Sequence, residues 1–326
     1  MVAFFKGNSY NKRDLKRNKL EMMERKEGFI CMLSAFSIRF VNLGITIKHL
    51  AKAFYIGNFP IAYYGVIILI GVIAGCKVAF WEAKKTGQDE EMYFDFAFFA
   101  VLFSIIGARI YYVVFDWDLY KDNLLQIFNF RAGGLAIYGG IIGAVITLLV
   151  FAKKRKVSAR LMMDTGVLGL VTGQIIGRWG NFVNREAFGG YTDGIFAMQI
   201  RKSEVYPWYI TEEIANHILL IDGVEYIQVH PTFLYESLWN IGVLIFLLVF
   251  RRRKKFTGEV FCWYLIGYGI GRFWIEGFRT DQLLIGSLPV SQVLSALLAV
   301  GSSIYVIWKH WDLRRKEWEQ ALHREQ

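Results

Sequence analysis

A chain of 326 residues that is 55% hydrophobic and 17% aromatic, with four prolines, carries more apolar side chain than a water-soluble globule of this size can hide. Its net charge of +10 would suit nucleic acid, but the Lys and Arg residues fall in short clusters between apolar runs, not along one soluble face, which excludes that partner. Cys31, Cys76 and Cys262 all sit in apolar stretches without CxxC or His-rich spacing, so neither a disulfide framework nor a zinc site is indicated.

In chain order, residues 1–28 hold eight Lys or Arg and four acids and read as a basic arm. Residues 29–47, FICMLSAFSIRFVNLGITI, are apolar enough to place an extra crossing or an interfacial amphipathic helix within 29–58, although Arg39 and Asn42 are costly near a bilayer centre. Seven spans follow at about 60–80, 93–115, 133–152, 160–177, 232–250, 257–276 and 286–308, each long enough to cross roughly 30 Å of hydrocarbon as a helix. The expected fold is therefore an all-α integral membrane protein. Its seven-helix core covers 59–308, a small external head lies at about 191–231, and a basic tail occupies 309–326. The head alone is too short for an independent core.

Charge orients this arrangement. Lys77, Lys84, Lys85, KKRK at 153–156 with Arg160, RRRKK at 251–255, and Lys309, Arg314, Arg315, Lys316 and Arg324 of the tail alternate onto one side, which positive-inside bias makes cytoplasmic. The opposite side keeps Arg131, Arg178, Arg185, Arg272 and Arg279, each in a Gly-rich or aromatic context. Gly139 and Gly143, Gly173 and Gly177, and Gly267 and Gly271 stand four apart, the spacing that lets helices approach closely in lipid.

Some polar groups in this apolar chain need a reason to be there. In GYGIGRFWIEGFRTDQ, 267–282, Tyr268, Arg272, Glu276 and Arg279 are separated by four, four and three residues and would share one helical face. Charges within a span are expensive unless paired and turned inward, so this face should line a cavity, with a structural Arg272–Glu276 pair as the plainer alternative. In GRWGNFVNREAFGG, 177–190, a span expected to end near Ile176 leaves Arg178, Asn181, Asn184 and Glu186 at or just beyond a helix end. There Gly177, Gly180, Gly189 and Gly190 permit positive-φ turns with exposed amides beside Arg178, which suits a phosphate; an ordinary connecting loop is the alternative. RAGGLAIYGG, 131–140, opens a span with Tyr138, and HPTFLYES, 230–237, opens another with Pro231 as first helical residue and His230 at the helix N-terminus.

These stretches, together with YYGVIILIG in the first core span, resemble the prolipoprotein diacylglyceryl transferase family, in the family's order over roughly residues 60–285. The resemblance implies a multi-pass protein of the bacterial cytoplasmic (inner) membrane with its site toward the outer leaflet. It also implies transfer of the diacylglyceryl group of phosphatidylglycerol to the lipobox cysteine of preprolipoproteins, with release of glycerol 1-phosphate. Partners would be those two substrates and membrane lipid, and no cofactor or metal is expected. Carried over residue by residue, the functional positions are Tyr64, Arg178, Asn181, Glu186, Gly189, His230, Tyr268, Arg272, Glu276 and Arg279. Tyr138 stands where some members have histidine, so a histidine base is not available there.

In chemical terms, a cysteine thiol with a reference pKa near 8.5 must lose its proton before attacking carbon. Arg178 and Arg272, assisted by Arg279, would bind the phosphodiester, and their summed field would favour thiolate. Glu276 and Glu186 either fix the guanidinium planes or take the proton, while Tyr64, Tyr138 and Tyr268 donate hydrogen bonds to head-group oxygens and His230 holds a polar group in place. A transporter or flippase would instead place polar residues through the full depth of the membrane, whereas here they concentrate near outer helix ends and the cytoplasmic halves read as nearly all apolar. An intramembrane protease lacks its Ser–His pair or embedded Asp pair.

Overall fold

The computed structural model describes residues 37–130, 133–286 and 288–324; the basic arm, Cys31 and Arg131 lie outside them. The helices are α1 (Tyr63–Lys85), α2 (Glu90–Phe115), α3 (Ile137–Arg155), α4 (Ala159–Asn184), a short α5 (Glu212–Asn216), α6 (Thr232–Phe250), α7 (Glu259–Glu276) and α8 (Val290–Arg324). Every expected core span falls on one of the long helices. Among the described residues, five of these, α1, α2, α3, α6 and α8, are long and apolar enough to cross a membrane, which makes this a multi-pass membrane protein. Of the seven expected spans, five have the length and apolarity of a crossing, and those on α4 and α7 do not. The reason lies in α4 and α7: Asp164, Thr165, Gln174 and Arg178 run along one, and Glu259, Tyr264, Tyr268, Arg272 and Glu276 along the other.

The chain divides into two compact units, the larger comprising Ala53–Asn184, Phe233–Gly277 and Gln282–Gln326. Within it α1 packs along α4, α2 along α3 and α7 along α8. Glycines set the first two of these contacts. A Cβ built on Gly75 would lie 2.5 Å from the carbonyl oxygen of Gly169, and one on Gly107 would lie 2.5 Å from that of Gly139. Backbones this close leave no room for a side chain, as expected where packing drives association in lipid. The outward surfaces stay apolar, with Leu69, Phe94 and Ile146 all exposed.

The basic end of this unit corrects the reading of apolar cytoplasmic halves. Glu82 of α1, Asp164 of α4 and Glu259 of α7 are all buried there. Glu82 pairs with Arg251, whose guanidinium also lies 4.7 Å over the Trp81 ring. Asp164 accepts from Lys254 at 3.0 Å and from the backbone N–H groups of Gly258 and Phe261 at 2.9 and 3.0 Å. Glu259 meets His310 Nε2 at 2.6 Å. Arg251 and Lys254 of the RRRKK cluster therefore do more than orient the chain: a buried carboxylate needs a partner, and they supply it. Arg109 plays a similar structural part in α2, donating to the carbonyls of Gln126, Ile127, Asn129, Gly133 and Gly134 and so fastening the loop that leads into α3.

The smaller unit comprises the described part of Met1–Lys52 with Arg185–Thr232 and Phe278–Asp281. Here the expected extra helix is corrected. Residues within 37–58 form β1 (Ile38–Phe40), β2 (Ile45–Ile47) and β3 (Ala53–Ile56), the last pairing with β4 (Phe59–Ala62) in the larger unit. Ile38 and Phe40 are buried on either side of half-exposed Arg39, the period of two that a strand requires, and Gly44 takes φ +67° in the β1–β2 turn. β1 and β2 build one sheet with β5 (Met198–Arg201), β6 (Leu219–Ile221) and β7 (Val224–Val229), in the order β2-β1-β5-β7-β6. Ile38 opposes Ile200 and Ile200 opposes Ile227, all three fully buried. The head expected at 191–231 thus has a core of its own, because it takes two strands from far upstream. Elsewhere β8 (Leu284–Ile285) and β9 (Leu288–Pro289) form a two-stranded ribbon before α8.

Gly75→Val is expected to force α1 and α4 apart and to lower stability by about 1–3 kcal/mol, read as a lower midpoint of thermal unfolding in detergent. A midpoint equal to that of the wild type would refute the close backbone contact.

Candidate active site

Helix α4 does not stop near Ile176 but continues to Asn184, which corrects the expected loop: Arg178 and Asn181 are helical, and so are Gly177 and Gly180. The positive-φ positions of the 177–190 stretch are Arg185 and Ala187, at 54° and 55°, instead of its glycines. From the last turns of α4 the Arg178 guanidinium reaches α6, where its Nη2 lies 2.5 Å from Glu236 Oε2. The other oxygen of the same carboxylate, Oε1, lies 2.6 Å from Nη1 of Arg272 on α7, and Arg272 Nη2 lies 2.6 Å from Glu276 Oε2. Glu236 and Glu276 have side chains only 5% and 3% exposed, so these pairs are shielded from solvent. Glu236 was not singled out from the sequence, although it stands inside HPTFLYES. A carboxylate at the fifth residue of an apolar helix is the same signal that drew attention to Arg272 and Glu276.

Two arginines matched by two glutamates leave the group close to neutral, which corrects the expected net positive field. The pairing still leaves N–H donors: Arg272 uses two of its five and Arg178 one. Beside the pairs lies a small hollow lined by Glu236, Trp239, Asn240, Tyr268 and Arg272. The indole of Trp239 donates to the Gly267 carbonyl at 2.8 Å and packs where a Cβ on Gly271 would sit, and Ser237 donates to the Ile175 carbonyl at 3.1 Å. These contacts fix the register of α6 on α7 and on α4. Tyr64, in the first turn of α1, lays its ring against Gly180, where a Cβ would lie 2.9 Å away. Tyr138 is not brought into this group. Its ring lies 6.4 Å from that of Tyr111, and among the described residues it makes no hydrogen bond to either arginine.

The remaining expected site residues belong to the smaller unit. Arg279 does not share the α7 face, because that helix ends at Glu276; it forms a two-point pair with Asp281 at 2.7 and 2.8 Å. Gly189 N–H donates to the His230 carbonyl at 2.9 Å, and a Cβ there would lie 2.8 Å from the Phe278 carbonyl oxygen. Its amide is therefore engaged in the fold instead of being exposed for a ligand, and glycine is needed for close approach. Arg185, fully buried, pairs with Glu204 at 2.6 Å. Glu186 contributes negative potential at Lys52 and at Tyr209, and burial lowers the Lys52 ammonium pKa, with neighbouring Arg185 adding to the effect. Burial likewise holds the His230 imidazole below its usual pKa, opposed by Glu213.

A family profile described as prolipoprotein diacylglyceryl transferase matches residues 51–308. The phosphatidylglycerol–prolipoprotein diacylglyceryl transferase of Clostridioides difficile (strain 630) is 43% identical over 252 residues, covering 77% of this chain and 92% of that protein. The protein of the same name from Bacillus cereus (strain Q1) is 44% identical over 255 residues, covering 78% and 90%. The chain belongs to the prolipoprotein diacylglyceryl transferase family. It is a transferase. In this transferase the paired arginines, Tyr64 and the hollow all fall within the matched region, whereas β1 and β2 precede it.

Two outcomes follow from this geometry. Glu236→Gln leaves Arg178 and Arg272 with one carboxylate between them and is expected to destabilise the folded state by about 3 kcal/mol; unchanged thermal unfolding would contradict the shared pair. Because the folded-state pKa of His230 is depressed, its neutral form favours the fold, and that contribution is complete above pH ~6.5 and is lost as pH falls below it. Thermal midpoints should therefore drop between pH 7.5 and 5.5, less so in His230→Asn, and identical pH slopes would refute the assignment.

Proposed function

We propose that this transferase moves the diacylglyceryl group of phosphatidylglycerol to the lipobox cysteine of preprolipoproteins, with α4 and α7 completing seven crossings, the basic helix ends cytoplasmic and the arginine pairs toward the outer leaflet of the bacterial inner membrane. The observation that carries this reading is the single carboxylate of Glu236 held by both Arg178 and Arg272. Two guanidinium groups that converge on one small oxyanion have the geometry to converge on a phosphate, and their unused N–H donors can do so without releasing Glu236.

The cysteine thiol passes its proton to a carboxylate of the site or to water, and its sulfur attacks the terminal carbon of the diacylglyceryl moiety. A carbon–sulfur bond forms as the carbon–oxygen bond breaks, its electron pair going to the phosphate oxygen, and glycerol 1-phosphate departs. A phosphodiester carrying one negative charge becomes a monoester carrying close to two. Donors fixed around the phosphate stabilise that added charge more in the transition state than in the ground state, which is what accelerates the step. Glu276 keeps the Arg272 plane fixed from the far side. Tyr64 and Tyr268 donate to head-group oxygens, and Asn181, Glu186, Gly189, His230 and Arg279 enter through the family motifs that they occupy. Tyr138 serves at most near the entrance to α3.

Purified protein incubated with phosphatidylglycerol and a lipobox peptide is expected to yield a peptide heavier by one diacylglyceryl group together with glycerol phosphate. Arg178→Ala and Arg272→Ala should each reduce the rate by at least about 100-fold. If neither product forms in a folded preparation, the transferase chemistry proposed here fails.

A further inference from the structure

Asn240 sits one helical turn beyond Glu236 on α6 and is 97% buried, yet among the described residues its amide has no hydrogen-bond partner. Donors and an acceptor that the fold does not engage, in so enclosed a place, are available to a ligand that can hydrogen-bond them. Its amide borders the hollow between α6 and α7, facing Tyr268, Arg272 and Glu236. The space there has room for about one water-sized group. Half-buried Tyr268 also lines the hollow, and its ring stacks on Tyr264 at 5.5 Å.

We infer that this hollow is a subsite for one hydroxyl of a polyol head group and that Asn240 is the residue that selects for it. The inference rests on the transferase reading above and names what sets its lipid specificity. A hydroxyl both donates and accepts, and the walls offer both: the Asn240 amide and Tyr268 hydroxyl can do either, Glu236 accepts and Arg272 donates. An ammonium in the same place would meet the Arg272 guanidinium, and a methyl group would leave the Asn240 amide unpartnered. Because Arg272 borders the hollow and also belongs to the group proposed to hold phosphate, a hydroxyl a few bonds from that phosphate lies within reach of Asn240. A site that hydrogen-bonds a hydroxyl rejects an analogue lacking it far more strongly than an apolar site rejects an added group.

The test compares phosphatidylglycerol with phosphatidyl-1,2-propanediol and phosphatidyl-1,3-propanediol, which each lack one head-group hydroxyl, using lipobox peptide as acceptor. The wild-type protein is expected to discriminate against one of the two analogues by roughly 10- to 100-fold in kcat/KM. Asn240→Leu should lower kcat/KM for phosphatidylglycerol by a similar factor, mostly through KM, while changing that for the rejected analogue less than about threefold. Asn240→Ser, which keeps a smaller polar group, should recover part of the selectivity. Equal losses on all three lipids in Asn240→Leu, or no discrimination by the wild type, would show the hollow to hold a structural water only and would overturn the inference. Failure of the wild type to turn over any of the lipids would instead count against the transferase reading.

Discussion

The shared carboxylate of Glu236 is the contact on which the arrangement of the larger unit turns. It joins Arg178 of α4 to Arg272 of α7 through a third helix, α6. None of these charges can be placed singly among apolar helices, because an unpaired ion there is far less favourable than a paired one. The three helices must therefore meet at one register. Trp239 on Gly267 and Ser237 on the Ile175 carbonyl hold that register with neutral hydrogen bonds one turn away. A slip of one residue in α6 would rotate Glu236 by about 100° and release both arginines at once.

The same logic explains which helices carry the charges. α4 and α7 are the two long helices without a stretch apolar enough to cross a membrane, while the other five present Leu, Ile and Phe outward. Glycines let α1 approach α4 to backbone contact, so the polar helix is covered closely without bulky side chains. At the basic end, Glu82, Asp164 and Glu259 repeat the theme with Arg251, Lys254 and His310 as partners. Two layers of paired charge, one at each end of the unit's helices, thus tie together elements that lipid alone would not order.

Much of this is legible in the sequence because lipid imposes a simple code: long apolar runs mark the five spanning helices, and the spacing of Tyr268, Arg272 and Glu276 gives their common face. The failures have definable causes. Ile38 and Phe40 form only a three-residue strand whose partner, Met198–Ile200, lies some 160 positions away, so no local pattern announces it. A span end near Ile176 falls short of the real end of α4, because Gly177 and Gly180, which look like turn residues, are helical and Gly180 makes room for Tyr64. Arg279 continues the spacing of the α7 stripe on paper, but the helix stops at Glu276. Glu236 stands alone as the carboxylate of HPTFLYES, and only the fold shows that it faces Arg178 and Arg272.

Polar side chains do reach through the depth of α4 and α7, which is the pattern that a transport pathway would require, so depth alone does not separate a carrier from an enzyme. What separates them is how those groups are satisfied. Asp164 is closed off by Lys254 and two backbone N–H groups, Tyr264 accepts from Gln174 at 2.9 Å, and Glu259 is fully buried against His310. An ion or lipid moving inward would have to break each of these in turn. The small hollow lined by Asn240 and Tyr268 lies instead beside the paired arginines, at one end of these helices. A chamber that is receptive at one level and closed beneath it suits a reaction carried out in place.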